Sequence, residues 1–292
     1  GKTVRHSKEK RAKRTEIMVL AINLALFVLS CLILILSGSS LVKSLSKIAS
    51  FLSLSEFVAG FIIMAIATSL PELFVGITSA LAKNTALALG TVIGSNIANL
   101  TLVAGIPILL ARGIKIRSVK TKTDAMYLVF ISIVPLTLML IGQQLNRIDG
   151  VILIAVFLIY ARRIYLQRKI FKKEYEENKT KRLKIVFSTL LFIISLAFLF
   201  LSAKFVVQYA TAISLDLALP PILVGIFLIA IGTSLPELVF SSQAAVKGHS
   251  EMVLGNLIGS NIANITLILG VTSLIYPISS DFLLFATAGT YM

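Results

Sequence analysis

The sequence predicts an all-α polytopic membrane protein made of two inverted repeats of five transmembrane helices, with the second repeat truncated in this chain. Two observations support this prediction. Hydrophobic residues make up 57% of the chain and charged residues only 14%, a composition typical of membrane proteins and not of soluble domains. The chain also contains an internal duplication, which places the same polar motifs inside long apolar runs of both halves.

The duplication consists of two motifs that recur at a constant offset of 165 residues. ATSLPEL at 67–73 recurs as GTSLPEL at 232–238, and LGTVIGSNIANLTL at 89–102 recurs as LGNLIGSNIANITL at 254–267. No gap is needed to keep the register between the two copies. Interrupted polar helices in a duplicated hydrophobic unit are the usual design of ion-coupled transporters.

The similarity between the copies extends beyond the motifs. Segments 60–105 and 225–270 share 22 identities in 46 positions. Each copy carries a glutamate at the same place, Glu72 and Glu237. Because ionisable side chains inside a membrane are costly, two acids at matching positions indicate a functional site.

Apolar runs of roughly 20 residues predict the membrane helices. Nine are expected, at about 16–36, 55–82, 85–111, 124–141, 150–166, 185–209, 220–247, 251–276 and from 282 onward. At the offset of 165 residues, the counterparts of helices four and five extend past residue 292, so the second repeat is expected to be incomplete. Since five is an odd number, the second copy enters the membrane from the opposite side, and a pseudo-two-fold axis in the membrane plane relates the halves.

The chain divides into a basic tail, 1–16, a first repeat, 17–166, a basic loop, 167–184, and the incomplete second repeat, 185–292. The net charge of +15 comes from Lys and Arg that gather beside the apolar segments. Such clusters set topology and contact anionic lipid head groups, so nucleic acid is not an expected partner. Their excess predicts that loop 167–184 is cytoplasmic, although the basic tail then falls on the opposite face.

The segment TSLPE at 68–72 predicts a broken helix that presents oxygen ligands. Pro71 has no N–H, so the carbonyl of Ala67 loses its helical partner and the ring opens the helix. In lipid a freed carbonyl needs another partner, and a bound cation can provide one. Na⁺ and Ca²⁺ prefer carboxylate, carbonyl and hydroxyl oxygens. The same set recurs as Thr233, Ser234, Pro236 and Glu237. One such break could be an ordinary proline kink, but two, each with an acid, favour a cation site.

The GSNIAN segments predict close helix packing together with further ligands. Gly90 and Gly94 are four residues apart, as are their counterparts in the second copy, and this spacing gives a smooth helix face. Ser95 and Asn99, also four apart, share a face and can complete a cage begun by the glutamates. Hydrogen bonding between helices is the alternative role of the asparagines.

The charge of the two glutamates limits what the site can hold. Two carboxylates balance one Ca²⁺ or two Na⁺, and a third Na⁺ would leave the loaded site positive. The site can therefore hold Ca²⁺ or several Na⁺, but not both sets together. An antiporter requires this mutual exclusion, and rearrangement of helices around the fixed site would give alternating access.

On these residues, the repeats resemble the alpha repeats of the sodium/calcium exchanger family, within the cation/calcium exchanger superfamily, in its prokaryotic form. The resemblance covers both repeats and implies an antiporter of Na⁺ and Ca²⁺, with no enzyme activity and no cofactor. It implies that Ca²⁺ is held by Glu72 and Glu237 and by the carbonyls of Thr68 and Thr233. It implies Na⁺ sites at Ala65, Ser69, Ser95, Ala230, Ser234 and Ser260, with Asn99 and Asn264 as supporting ligands.

Further family features bear on ion dependence. The potassium-dependent branch has an aspartate at the position of Asn264, so the asparagine predicts exchange that does not require K⁺. A Ca²⁺/H⁺ exchanger remains the main alternative, since neighbouring acids in a low-dielectric site can also take up protons. An intramembrane hydrolase using Ser69 or Ser234 lacks a nearby His or Lys as base. A passive channel is less favoured, because inverted repeats are typical of transporters.

Overall fold

The computed structural model describes residues 2–51, 65–113, 119–166 and 182–279, which are almost entirely helical. The first half contains α1 (Lys2–Phe51), α2 (Ile66–Thr68), α3 (Leu70–Leu81), α4 (Thr85–Ala98), a π-helical turn (Asn99–Val103), α5 (Ala104–Leu110), α6 (Val119–Gly142) and α7 (Arg147–Leu166). The second half contains α8 (Arg182–Asp216), α9 (Pro221–Val224), a π-helical turn (Gly225–Ile229), α10 (Ala230–Thr233), α11 (Leu235–Val246), α12 (Ser250–Ala263), a π-helical turn (Asn264–Ile268) and α13 (Leu269–Ile275).

Six stretches within these ranges are long and apolar enough to cross a membrane. They are Ile17–Leu41, Thr85–Leu110, Thr123–Gly142, Ile185–Asp216, Pro221–Val246 and Ser250–Ile275. The shorter apolar helix α3 continues the second predicted span. The predicted all-helical membrane fold is confirmed. The ninth predicted helix and most of loop 167–184 lie outside the described residues.

The helix boundaries of the two halves coincide at the sequence offset of 165. Helix α3 begins at residue 70 and α11 at 235, α4 at 85 and α12 at 250, α5 at 104 and α13 at 269. The breaks before α3 and α11 also match, since Ser69 has φ −82° and ψ 3° and Ser234 has φ −80° and ψ 0°. The sequence duplication is therefore also a duplication of local structure.

Two predicted boundaries differ from the structure. Helix α1 covers Lys2–Phe51, so residues 2–16 of the basic tail are helical and continuous with the first membrane helix. Helix α7 begins at Arg147, three residues before the predicted start at 150. The side chain of Asn146 accepts the backbone N–H groups of Ile148 and Asp149, at 2.8 and 3.1 Å, and so caps the helix.

Helices α1 and α8 run antiparallel beside each other. The Nδ2 atom of Asn23 donates to Asp216 at 2.9 Å, and Gly38 lies against Leu199. Both helices carry buried serines at seven-residue intervals, namely Ser30, Ser37 and Ser44 in α1 and Ser188, Ser195 and Ser202 in α8. A seven-residue repeat is typical of helices that cross at a small angle.

Gly38 also brings α1 onto both helix breaks. A methyl group at this position would lie 3.2 Å from Cγ of Pro236 and 3.3 Å from Cγ of Pro71. The middle of α1 therefore contacts the proline of each repeat.

The close packing predicted for Gly90 and Gly94 is confirmed. A Cβ atom on Gly90 would lie 2.2 Å from the carbonyl oxygen of Ile222, and one on Gly94 would lie 2.4 Å from that of Ile226. In the reciprocal direction, a Cβ atom on Gly225 would lie 2.5 Å from the carbonyl oxygen of Leu87. The backbone of α4 thus touches that of α9 and the π-turn after it, which fixes the first GSNIAN segment beside the second repeat.

Several loops meet at one end of the helices. Asn84, before α4, donates to Thr211 of α8 at 3.0 Å. Thr85 donates to the carbonyl of Pro277 at 3.3 Å, and Leu145 pairs with Ile278 through two backbone hydrogen bonds of 2.9 Å. The loops after the second, fourth and eighth predicted spans therefore share one face, as the predicted alternation of helices requires.

Candidate cation site

The two glutamates are buried at the starts of equivalent helices. Glu72 lies in the first turn of α3 and Glu237 in the first turn of α11, and each is only 1% exposed. The broken backbone at Ser69 and Ser234 lets a new helix begin there, and the N-terminus of a helix stabilises negative charge. In the described part of the chain, no ion pair involves either glutamate.

The surroundings of Glu72 come from both repeats. Ser95 of α4 donates to its Oε1 atom at 3.3 Å, and the hydroxyl of Ser95 also lies 3.3 Å from that of Thr233. Thr233 is the last residue of α10, one turn before Glu237. Ser95 therefore links the carboxylate of the first repeat to the helix break of the second.

Glu237 faces the opposite break. The hydroxyl groups of Thr68 and Ser69 lie beside its carboxylate. Neither oxygen of Glu237 accepts a hydrogen bond among the described residues. The two acids thus converge on one buried region.

The hydroxyl contacts across the repeats obey the pseudo-two-fold symmetry. Thr68 lies 3.4 Å from Ser260, and the equivalent pair, Thr233 and Ser95, is 3.3 Å apart. Each threonine also donates to the carbonyl oxygen three residues before it, Thr68 to Ala65 at 3.3 Å and Thr233 to Ala230 at 3.2 Å. The predicted residues Ala65 and Ala230 therefore belong to the same cluster through their carbonyl groups.

The asparagines form a second symmetric set. Nδ2 of Asn99 donates to Asn261 at 3.4 Å, and Nδ2 of Asn264 donates to Asn96 at 2.9 Å. These bonds join α12 to the π-turn after α4, and α4 to the π-turn after α12. The amide nitrogens of Asn99 and Asn264 therefore form hydrogen bonds between helices, which is the alternative role of the asparagines. The Oδ1 atoms of Asn99 and Asn264 accept no hydrogen bond from the part of the chain that the structure describes, so they are available as ligands.

Several buried oxygens of this region have no hydrogen-bond partner among the described residues. They are Oγ of Ser69 and Ser234, Oε2 of Glu72, both carboxylate oxygens of Glu237, and Oδ1 of Asn99 and Asn264. A buried polar atom without a partner costs about 1–3 kcal/mol, and more if it is charged. Carboxylate, hydroxyl and amide oxygens are the ligands that hard cations prefer, so this set fits Na⁺ or Ca²⁺ as cargo.

The structure also identifies residues that the sequence interpretation did not assign to the site. Asn96 and Asn261 fix the amides of Asn264 and Asn99, and their repetition in both GSNIAN segments is a signal that could have revealed them. Asn256 accepts a hydrogen bond from Thr68 at 3.2 Å. It has no such signal, because Thr91 occupies the equivalent position in the first repeat. The described residues contain no cluster of three or more His, Cys, Asp or Glu side chains.

Comparison with known proteins identifies the family. The family model described as sodium/calcium exchanger protein matches residues 22–166 and 187–290. This chain belongs to the sodium/calcium exchanger family. The sodium/calcium exchanger MaX1 of Methanosarcina acetivorans is 30% identical over 304 residues, covering 89% of this chain and 85% of the relative. A membrane protein of Methanocaldococcus jannaschii, described as uncharacterised, is 35% identical over 265 residues, covering 90% and 85%.

A solved structure is also similar to this exchanger-family chain. The sodium-calcium exchanger NCX_Mj, soaked with Na⁺ and without Ca²⁺, superposes with a TM-score of 0.61 at 32% sequence identity. The match covers 93% of this chain and 89% of that one. The family is one of transporters and not of enzymes. We conclude that the chain is an integral, multi-pass membrane protein of a cation/Ca²⁺ exchange family.

Proposed function

We propose that this protein is a secondary active antiporter that exchanges Na⁺ for Ca²⁺ by alternating access and does not require K⁺. The observation that carries the proposal is the convergence of Glu72 and Glu237, each 1% exposed, on one region of unpaired oxygens. Each repeat supplies one carboxylate and the hydroxyl groups of one threonine and two serines to it. MaX1 and NCX_Mj, the relatives described above, are named as exchangers of sodium and calcium.

The proposed ligands divide into two overlapping sets. Ca²⁺ is bound by the carboxylates of Glu72 and Glu237 and by Thr68 and Thr233. Na⁺ ions are bound around Ala65, Ser69, Ser95, Ala230, Ser234 and Ser260, with Asn99 and Asn264 as supporting ligands. Ser95 supports this overlap, because its hydroxyl contacts both Glu72 and Thr233. A cation bound by one ligand set would change the electrostatic potential at the other set.

The charge of the site supports exchange over co-transport. Two carboxylates are neutralised by one Ca²⁺ or by two Na⁺, and both loads together would leave net positive charge in a region from which water is excluded. Charges at such a place interact more strongly than in water. The two cargoes therefore compete for the same carboxylates, and each must leave before the other binds.

The test is flux in liposomes that contain the full protein. We expect Ca²⁺ uptake when the liposomes are loaded with Na⁺ and diluted into Na⁺-free medium, and no uptake when a pH gradient alone is imposed. Uptake should be the same with and without K⁺ on either side. Uptake driven only by the pH gradient would show a Ca²⁺/H⁺ exchanger that uses the same glutamates, and would disprove Na⁺ coupling.

Loop charge supports an orientation for this antiporter. Loop 167–184, which is rich in Lys and Arg, is proposed to be cytoplasmic and to contact anionic lipid head groups. In a Cys31→Ser background, Tyr175→Cys should react with a membrane-impermeant thiol reagent only after cells are opened. Ala218→Cys, in the loop between α8 and α9, should react in intact cells. The reverse pattern would invert the proposed orientation.

A further inference from the structure

The two halves of the site differ at two neighbouring pairs of equivalent positions. Asn256 of α12 corresponds to Thr91 of α4, and Ser241 of α11 corresponds to Gly76 of α3. The hydroxyl of Thr91 donates to the carbonyl of Leu87 in its own helix, at 2.9 Å. At these positions the second repeat has an amide and a hydroxyl group. The first repeat has a glycine and a threonine whose hydroxyl bonds within its own helix.

Asn256 uses both ends of its amide. It is fully buried, its Oδ1 accepts the hydroxyl of Thr68 at 3.2 Å, and its Nδ2 donates to Oγ of Ser241 at 3.2 Å. In this arrangement the amide oxygen faces Thr68 and the amide nitrogen faces Ser241. Ser241 lies one turn after Glu237 in α11, so this chain of bonds connects the first helix break to the helix of the second glutamate.

The hydrogen bond to Asn256 changes how the hydroxyl of Thr68 can take part in cation binding. A hydroxyl has one proton and two lone pairs. Thr68 has the oxygens of Asn256, Ala65 and Ser260 within 3.4 Å, and the carboxylate of Glu237 lies beside it. When the proton is given to Asn256, the carbonyl of Ala65 is relieved of this bond, and both lone pairs of the hydroxyl can face a cation.

The equivalent hydroxyl in the second repeat has no amide acceptor. Thr233 can give its proton to the carbonyl of Ala230, at 3.2 Å, to Ser95, at 3.3 Å, or to the carboxylate of Glu72 beside it. A hydrogen bond donated to the carbonyl oxygen of Ala230 occupies a lone pair that a cation would otherwise use. A proton given to Ser95 leaves that carbonyl free but uses a lone pair of a second proposed ligand. The two halves of the site are therefore not equivalent as hosts for a monovalent cation.

We propose that Asn256 is a positioning residue that makes the half-site of Ala65 and Thr68 the stronger of the two for Na⁺. The inference rests on the proposed function, because it concerns the same cluster. Asn256 acts through Thr68 and not as a ligand itself. Ca²⁺ depends chiefly on the two carboxylates and is affected much less.

The experiment compares Na⁺ and Ca²⁺ dependence in the full protein. Asn256→Thr, which installs the residue of the first repeat, should raise the Na⁺ concentration for half-maximal exchange about three- to tenfold, as expected for one lost hydrogen bond. The Ca²⁺ concentration for half-maximal exchange should change less than about twofold. If Asn256 had a purely structural role, the variant would change the half-maximal concentrations of Na⁺ and Ca²⁺ together. Alternatively, it would reduce the amount of folded protein and leave the ratio of the two concentrations unchanged.

Two further variants keep the test decisive. Thr91→Val, the matched control at the equivalent position, removes a hydroxyl that bonds only within its own helix and should leave both values unchanged. Ser241→Ala keeps Asn256 but frees its amide, and should shift the Na⁺ value in the same direction by a smaller factor. If Asn256→Thr does not fold, Ser241→Ala alone decides the question.

The failures can be told apart. A wild-type protein that exchanges Ca²⁺ without Na⁺ dependence would overturn the proposed function, and this inference with it. A Na⁺-coupled wild type whose Na⁺ value is unchanged in both Asn256→Thr and Ser241→Ala, or shifts together with the Ca²⁺ value, would overturn only the inference.

Discussion

The hydroxyl oxygens of Ser95 and Thr233 lie 3.3 Å apart although the two residues belong to different repeats. Ser95 also donates to Glu72, so one short hydroxyl chain joins the carboxylate of the first half to the helix break of the second. The equivalent contact between Thr68 and Ser260 repeats this arrangement on the other side. Each half of the candidate site is therefore incomplete without the other.

Neutralising either glutamate should stop Ca²⁺ exchange. We expect Glu72→Gln and Glu237→Gln each to reduce Na⁺-driven Ca²⁺ uptake to the level of empty liposomes, because one remaining carboxylate cannot balance a divalent ion. The side chains keep nearly the same size, so the protein should still insert in the membrane.

The control for these variants is Glu251→Gln, which removes the same charge at the start of α12, away from the two breaks. It should retain uptake. Normal uptake in either Glu72→Gln or Glu237→Gln would show that the cluster is not the Ca²⁺ site.

Replacing Asn264 with aspartate should alter the dependence of Ca²⁺ exchange on monovalent ions. In Asn264→Asp, the free Oδ1 of Asn264 becomes part of a charged group, while its donation to Asn96 is lost. We expect exchange to require a different Na⁺ concentration or to respond to K⁺. Fluxes measured over a range of Na⁺ and K⁺ concentrations would reveal this, and identical curves would remove the argument that asparagine confers K⁺ independence.

A methyl group at Gly94 should separate the helices that carry the site. The added Cβ would lie 2.4 Å from the carbonyl oxygen of Ile226 and 2.6 Å from Cβ of Ala230, so one backbone must move. We expect Gly94→Ala to destabilise the folded protein by about 1–3 kcal/mol, as for other overpacked interiors. Thermal unfolding in detergent measures this.

Gly105→Ala is the matched control, since a Cβ there meets no atom within 4 Å. Alanine favours a helix over glycine, so this variant should be unchanged or slightly more stable. Equal stability of the two variants would contradict the close packing of α4.

The ion pair between α6 and α7 should contribute to stability and not to transport. Arg163 lies 3.0 Å from Asp124, whose side chain is 2% exposed, and its guanidinium lies 3.7 Å from the ring centre of Tyr127. Replacing Arg163 with Met would leave a buried carboxylate without this partner and should cost about 2 kcal/mol.

Arg162→Met, at the exposed neighbouring position, should have little effect on the unfolding temperature. Both variants should retain the wild-type Ca²⁺ concentration for half-maximal uptake. A changed Ca²⁺ dependence in Arg163→Met alone would place this ion pair in the transport path.

Much of this architecture can be predicted from the sequence because duplication and proline chemistry are local signals. The prolines at 71 and 236 predict the breaks, and the repeated glutamates predict a shared buried site. The asymmetric role of Asn256 could not be predicted, because its partner Thr68 is 188 residues away and the equivalent position holds Thr91. The helical state of residues 2–16 was also missed, since a charge-rich segment carries no apolar periodicity.

The matching boundaries of the two halves have a practical consequence. A substitution within 60–105 has a twin position within 225–270 of the same polypeptide, which faces the opposite side of the bilayer if the halves are inverted. A pair of twin variants would then probe one chemical group from the two compartments in turn, with expression, lipid and assay held constant.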